Sequence, residues 1–198
     1  MSKLYIAYGS NLNKRQMRRR CPSARPLGKF TLKDARLVFR VYADLDLVPG
    51  AEVPCGLWRI DDADERALDN YEGLHRGKHG YYKDYILLKY QGKPEKAMLY
   101  LMQEGEGVAP PSSAYAQTIR EGYQDFKMNP EFLNAAIKHS WDEKNPSEVI
   151  RQRRERQRRR EGGSKPAAVV SVPESLALRR QKVTHPILNS NVAVIHGD

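Results

Sequence analysis

The first dozen residues constrain the fold most. Leu4-Tyr5-Ile6-Ala7-Tyr8 is a run of five apolar or aromatic residues, of strand length, and Gly9-Ser10-Asn11-Leu12 follows it. Gly, Ser and Asn accept tight turns and expose backbone N–H groups, so the strand stops there. A polar segment of helical character, Asn13 to Arg20, comes directly after. Strand, small-residue loop and helix start together collect N–H donors that can hold a carboxylate or an oxyanion. Strand-Gly-Ser-Asn is also an ordinary turn, and it becomes a site only if another group completes it.

The rest of the chain reads as further strands with helices between and after them. Cys21-Pro22-Ser23 ends the first helix, because proline cannot continue it. Between Arg25 and Tyr42 the pattern is extended, with Leu37, Phe39 and Val41 expected on the buried face and Val38 and Arg40 on the other. Residues 45–54 read as irregular, with a turn at Pro49-Gly50, and Gly56 to Ile60 as a short apolar strand. Asp61 or Asp62 caps the next helix, Ala67, Leu68 and Tyr71 face inward, and Gly73 stops it. Glu72 therefore lies at the negative end of a helix dipole, which disfavours its ionised form, while Arg76, Lys78 and His79 nearby would favour it.

Two strands, Tyr82 to Tyr90 and Lys96 to Met102, are joined across Gln91-Gly92-Lys93-Pro94. Ser112 or Ser113 opens a helix with Tyr115, Ile119, Tyr123 and Phe126 on one face. Asn129-Pro130 opens another, with Phe132, Leu133, Ala136, Ile137 and Trp141 as its stripe. The class expected is α+β: a small mixed, partly closed barrel-like sheet with flanking helices and a basic C-terminal extension. Its divisions are residues 1–142, an Arg-rich charged helix or linker at 143–163, and a tail at 164–198 that is disordered or adds a strand.

Composition narrows the function. At 198 residues the chain holds one well-buried domain and an appendage. No apolar run reaches the roughly 18 residues of a spanning helix, and the opening is too short and wrongly flanked for a secretory signal, so a cytoplasmic location is expected. Cys21 and Cys55 lack a CxxC spacing and read as reduced thiols, and His75, His79, His139, His185 and His196 lack metal-ligand spacing. Neither a metal nor a cofactor is expected. The net charge of +10 is concentrated late in the chain, with twelve Lys and Arg against six Asp and Glu between Glu143 and Asp198. Arg151 to Arg160 contains seven arginines. Such a run binds phosphate-rich or acidic partners with steep salt dependence, but without interleaved aromatics it does not read sequence.

Three stretches resemble the gamma-glutamylcyclotransferase family: the strand running into Tyr8-Gly9-Ser10-Asn11-Leu12, the Glu72-Gly73 pair with Gly80-Tyr81 after it, and Tyr100-Leu101-Met102 with Pro110-Pro111-Ser112 and Tyr115. In order and spacing the likeness covers residues 1 to 141, about two thirds of the chain. It implies a small mixed barrel with its pocket at one end. It also implies that Glu72 is the catalytic glutamate, that Tyr5, Ile6, Ala7, Tyr8, Gly9 and Ser10 line the glutamyl pocket, and that Tyr81 and Tyr115 point hydroxyls into it. The N–H groups of Gly9, Ser10 and Asn11, in the loop that ends at Leu12, are candidates for holding the oxyanion or a substrate carboxylate, with Tyr8 as a wall. Asn11 after Ser10 is more like the general branch of the family than the glutathione-specific one, and the basic Arg76-Gly77-Lys78-His79 hints at an acidic leaving portion.

The reaction implied is cyclisation of a γ-glutamyl group to 5-oxoproline with loss of an amine. The nucleophile is the substrate's own α-amine, so the protein must fold the substrate, which contributes on the order of 7–11 kcal/mol in favourable cases. It must also move protons, worth roughly 10²–10⁴-fold for one well-placed carboxyl. Two rivals stand beside this reading. One is a non-catalytic binder of small molecules or partners on the same fold, with the arginine run contacting nucleic acid. The other is removal of a γ-glutamyl protecting group from a biosynthetic intermediate by the same ring closure.

Overall fold

The computed structural model describes residues 2–74, 80–103 and 107–145. The opening apolar run forms strand β1 (Lys3–Ala7), and Leu4, Tyr5, Ile6 and Ala7 are all buried. Burial on both faces is what a continuous apolar strand requires, and β1 takes the middle of a five-stranded sheet. It pairs antiparallel with β3 (Tyr42–Ile60) and parallel with β5 (Lys93–Met102). The outer strands are β2 (Arg25–Arg40) beside β3 and β4 (Tyr81–Tyr90) beside β5, both antiparallel, giving the order β2-β3-β1-β5-β4.

The sheet curls. Although β1 and β5 separate β3 from β4, Tyr81 Oη of β4 donates to Ala43 O of β3 at 2.6 Å. Met102 N, at the end of β5, donates to Asp44 Oδ1 at 3.0 Å. The start of β3 is thereby drawn to one end of β4 and β5, which gives the barrel-like shape its closed end.

Among the described residues, the four α-helices start where capping residues stand. Asn13 Oδ1 accepts from Gln16 N at 3.0 Å and opens α1 (Lys14–Arg20), which stops at Cys21. Asp61 and Asp64 form a reciprocal capping box for α2 (Asp62–Glu72), and Gly73, at φ 69° in the left-handed region, ends it. Ser112 caps α3 (Ser113–Asp125), and Asn129 Oδ1 accepts from Glu131 N at the start of α4 (Glu131–Lys144). Ile119, Tyr123 and Phe126 of the α3 segment and Leu133 and Ala136 of α4 are buried, joining the core under the sheet.

Several sequence expectations are corrected. Residues 45–54 are not an irregular connection: they belong to β3, which pairs with β2 along most of its length. The Pro49-Gly50 signal is realised as a wide irregularity, because residues 48–51 fall between the pairs Lys33–Glu52 and Ala35–Leu47, opposite Asp34 alone. Asp34 and Gly50 both take positive φ, and Gly50 N donates to Asp34 Oδ1 at 2.8 Å, closing the bulge. Leu37 and Phe39 are buried as expected, but Val38 is buried as well and Val41 is half-exposed. Val41 occupies the turn into β3 at φ 68°, which breaks the period of two. Phe132 and Trp141 of α4, and Tyr71 of α2, are exposed and do not belong to the inward stripes. The β4–β5 turn is only Gln91-Gly92, both at positive φ as a two-residue hairpin turn demands, so β5 begins at Lys93 rather than Lys96.

Among the described residues no helix is long and apolar enough to cross a membrane. The charged segment 143–163, apart from its first residues at the end of α4, the tail 164–198, the arginine run Arg151–Arg160 and the loop residues Arg76, Lys78 and His79 lie outside the described residues.

Candidate active site

The loop after β1 is built by close approach. Gly9 lies so near β3 and α3 that a Cβ there would be 3.1 Å from Ala43 Cβ and 3.2 Å from Tyr115 Oη. Ser10–Leu12 then form a single 3₁₀ turn, with Leu12 N donating to Gly9 O and Asn13 N to Ser10 O. The first amides of such a turn have no partner within it, so the N–H groups expected from the sequence remain at this bend.

Helix α3 clamps the turn from outside. Leu12 is fully buried under Gly122, where a Cβ would come within 2.7 Å of Leu12 C and 2.8 Å of Asn13 N. Asn13 Nδ2 donates to Glu121 Oε2 at 2.8 Å and Lys14 N to Asp125 Oδ2 at 2.8 Å. The loop is thus fixed to β1 at one end and to α3 at the other.

Helix α2 brings Glu72 to this loop. Asn11 Nδ2 donates to Glu72 Oε1 at 2.7 Å and to Tyr5 Oη at 2.7 Å, so loop, strand and helix meet at one amide. The Asn11 side-chain oxygen accepts from Arg20 Nη1 of α1. Burial pushes the Glu72 carboxyl up to about 7, against the opposing pull of the Asn11 hydrogen bond and the Arg20 charge. The dominant cause is therefore desolvation rather than the helix dipole that the sequence suggested, and the basic loop expected to oppose the rise lies outside the described residues.

A pocket open to solvent lies against these groups and is lined by Tyr5, Tyr8, Gly9, Ser10, Asn11, Ala43, Glu72, Tyr81, Tyr100 and Tyr115. Ile6, Ala7 and Leu12 do not line it: they are core residues under the loop, because β1 buries both faces and Leu12 fills the space beneath Gly122. Ala43 and Tyr100 are lining residues that the sequence did not assign to the pocket, although Tyr100 begins one of the resembling stretches, and Arg20 is a supporting one. Tyr100 was discoverable from strand alternation, since it shares a face with Met98, the partner of Tyr5 across the β1–β5 pair. Ala43 carries no such signal.

The tyrosines are tied down individually. Tyr8 Oη donates to Tyr100 O, Tyr100 Oη donates to Asp69 Oδ1 at 2.6 Å, and the rings of Tyr5 and Tyr100 meet edge to face at 5.9 Å. Burial is the first cause raising the hydroxyls of Tyr5, Tyr8, Tyr81 and Tyr100, and it takes Tyr115 to about 12. At neutral pH all five are neutral hydrogen-bonding groups, and Glu72 is the lining residue that gains or loses a proton there. The arrangement can hold a polar ligand, donate several hydrogen bonds to it, and exchange one proton with it.

Comparison with known proteins gives the same direction. The chain is 30% identical to mouse gamma-glutamylcyclotransferase over 141 residues, 65% of this chain and 74% of that protein. It is 30% identical to the human protein of the same name over 134 residues, 62% of this chain and 70% of that one. A solved structure described as gamma-glutamyl cyclotransferase superposes with a TM-score of 0.60 at 28% identity, covering 69% of this chain and 86% of that one. The family model for gamma-glutamyl cyclotransferase, AIG2-like, matches residues 5–123, from the first pocket tyrosine to the buried end of α3, and the chain belongs to that family.

Proposed function

We propose that the protein is a gamma-glutamylcyclotransferase: it closes a γ-glutamyl group to 5-oxoproline and releases the attached amine. The observation that carries this reading is the position of Glu72, whose carboxyl shares one pocket with the Gly9-Ser10-Asn11 bend and is hydrogen-bonded by Asn11 of that bend. Its family membership supports the same chemistry.

In this reading the γ-carbonyl lies beside the bend and the substrate's α-ammonium lies near Glu72. Ionised Glu72 takes a proton from the ammonium, and the freed amine attacks the γ-carbon, forming the ring C–N bond. The amides of Gly9, Ser10 and Asn11 stabilise the oxyanion that develops. The tetrahedral centre then collapses, the original C–N bond breaks, and protonated Glu72 gives its proton to the leaving amine. The carboxylate so regenerated takes the extra proton from the ring nitrogen, leaving the lactam N–H, and passes it to the departing amine, which leaves as an ammonium. One carboxyl with a pKa near 7 populates both forms that the two steps need. The sequence moves protons alone, and no electron carrier or second nucleophile enters it. Tyr8 and Tyr81, whose hydroxyls already donate to Tyr100 O and Ala43 O, wall the glutamyl portion, and Tyr5 and Tyr115, whose hydroxyls accept from Asn11 Nδ2 and Ala43 N, keep their O–H groups as neutral donors to it.

The test is incubation with γ-glutamyl amino acids and mass-spectrometric detection of 5-oxoproline. Wild type is expected to release 5-oxoproline and free amino acid in equal amounts. Glu72→Gln, which keeps the Asn11 contact but cannot carry the proton, is expected to lose roughly 10²–10⁴-fold in kcat. Binding of the γ-glutamyl compound without any 5-oxoproline would favour a non-catalytic binder, and turnover unchanged in Glu72→Gln would remove that residue from the mechanism.

A further inference from the structure

Helix α1 ends in three successive arginines, of which Arg18 and Arg19 are exposed and Arg20 is half-buried. Arg20 turns toward the site: its guanidinium carbon lies 3.2 Å from the centre of the Tyr71 ring, and its Nη1 donates to Asn11 Oδ1. Tyr71 precedes Glu72 on α2, and its hydroxyl lies 3.3 Å from Ser10 Oγ, so ring, guanidinium and loop brace one another.

A guanidinium has donors and no acceptor, so the side-chain oxygen of Asn11 must face it. The Asn11 NH₂ group is then aimed the other way, and its two hydrogens go to Glu72 Oε1 and Tyr5 Oη. With the amide reversed, its oxygen would face the Glu72 carboxylate, an acceptor against an acceptor. Because Tyr5 accepts from Asn11, its own O–H is directed elsewhere. We propose that Arg20 is a positioning residue for the Glu72 carboxyl, acting by fixing the orientation of the Asn11 amide while the Tyr71 ring fixes Arg20. The kinetic part of this inference rests on the proposed cyclotransferase reading, whereas the electrostatic part does not.

Among the described residues, the other groups facing Glu72 are Tyr5 of β1, Tyr8 of the loop, Tyr81 of β4, Tyr100 of β5 and Tyr115 of α3. All are neutral at neutral pH, so Arg20 supplies the cationic influence on the carboxyl from this set. Its loss removes a favourable charge and releases the amide, and both changes favour the protonated form.

The direct test is a carbon-13 NMR titration of the Glu72 carboxyl, assigned with Glu72→Gln, in wild type, Arg20→Gln, Arg20→Lys and Tyr71→Leu. The Glu72 midpoint is expected to rise in Arg20→Gln and to rise less in Arg20→Lys, which restores the charge but not the planar stacking. Tyr71→Leu, a change at an exposed residue, is expected to raise it in the same direction by a smaller amount. In 5-oxoproline assays, kcat/KM of Arg20→Gln at pH 6 should fall on the order of tenfold with KM little changed. An unmoved midpoint in folded Arg20→Gln overturns the proposal, and if that variant does not fold, an unmoved midpoint in Tyr71→Leu does so. The titration needs no turnover, so a wild type that releases no 5-oxoproline would defeat the proposed reaction while leaving the role of Arg20 to be read.

Discussion

Glu72 carries an energetic cost that makes its environment measurable. Burial holds its carboxyl at about 7 in the fold against about 4.5 in the open chain, so the folded state binds the proton more tightly. Below about pH 4.5 both states are protonated and the penalty is absent; above about pH 7 both are ionised and it is fully present, about 3 kcal/mol. Glu72→Gln should therefore melt higher than wild type at pH 8, by roughly 2–4 °C for each kcal/mol recovered, with the gap closing toward pH 4.5. Thermal melts across that range check it, and a gap that does not change with pH would mean that the carboxyl is solvated. At this scale the sequence was informative about residue types: the Gly9-Ser10-Asn11 bend and a Glu before a helix-stopping Gly are local signals. The link from Arg20 through Asn11 was not legible, because it depends on how α1 folds back over its own preceding turn.

Among the elements, α3 decides where the loop sits, and Gly122 decides how near α3 can come. Replacing a glycine inside an exposed helix by alanine ordinarily stabilises it by roughly 0.5–1 kcal/mol. Here a methyl group would enter the space held by Leu12 and the Asn13 amide, backbone included. Overpacking of that kind costs roughly 1–3 kcal/mol, so packing outweighs propensity and Gly122→Ala should be destabilised in denaturant melts. Its residual turnover should also fall, because the turn that carries Asn11 must shift. Helix boundaries were legible from caps and stops at Asp61, Ser112 and Gly73, which act on neighbouring backbone groups, whereas Asn13, read as the first residue of its helix, is its cap. The β2–β3 pair was not, because Pro49-Gly50 is a turn signal that a long hairpin absorbs as a bulge against Asp34. Likewise, the exposure of Trp141 and Phe132 follows from which side of α4 meets β2, a tertiary choice that an apolar stripe does not specify.

For the whole molecule, the buried core described above runs from Leu4 to Ala136, and the pocket draws every lining residue from that span. A chain ending after Asn145 is expected to fold and to keep the wild-type rate of 5-oxoproline release. Deletion of the seven arginines between Arg151 and Arg160 is expected to abolish the salt-sensitive retention on a polyanion column that the full chain should show at low salt. Loss of turnover in a folded truncation would place part of the site beyond residue 145. The α+β class was legible from the succession of strand-like runs and capped helical stretches, whereas the central position of β1 follows from its pairing with β3 and β5. The partly closed sheet was expected, but the contacts that draw Ala43 and Tyr81 together were not, since they rest on hydrogen bonds between residues 38 and 58 positions apart.

The central claim is that the Glu72 carboxyl, in the pocket beside the Gly9-Ser10-Asn11 bend, is the proton shuttle of a ring-closing reaction. Its most direct test is the pH dependence of kcat/KM for 5-oxoproline formation in the full-length protein. The account predicts a rate that falls below an apparent pKa near 7 in wild type, with residual Glu72→Gln activity lacking that limb. A wild-type rate independent of pH between 5 and 8, or the same acid limb retained in Glu72→Gln, would contradict it.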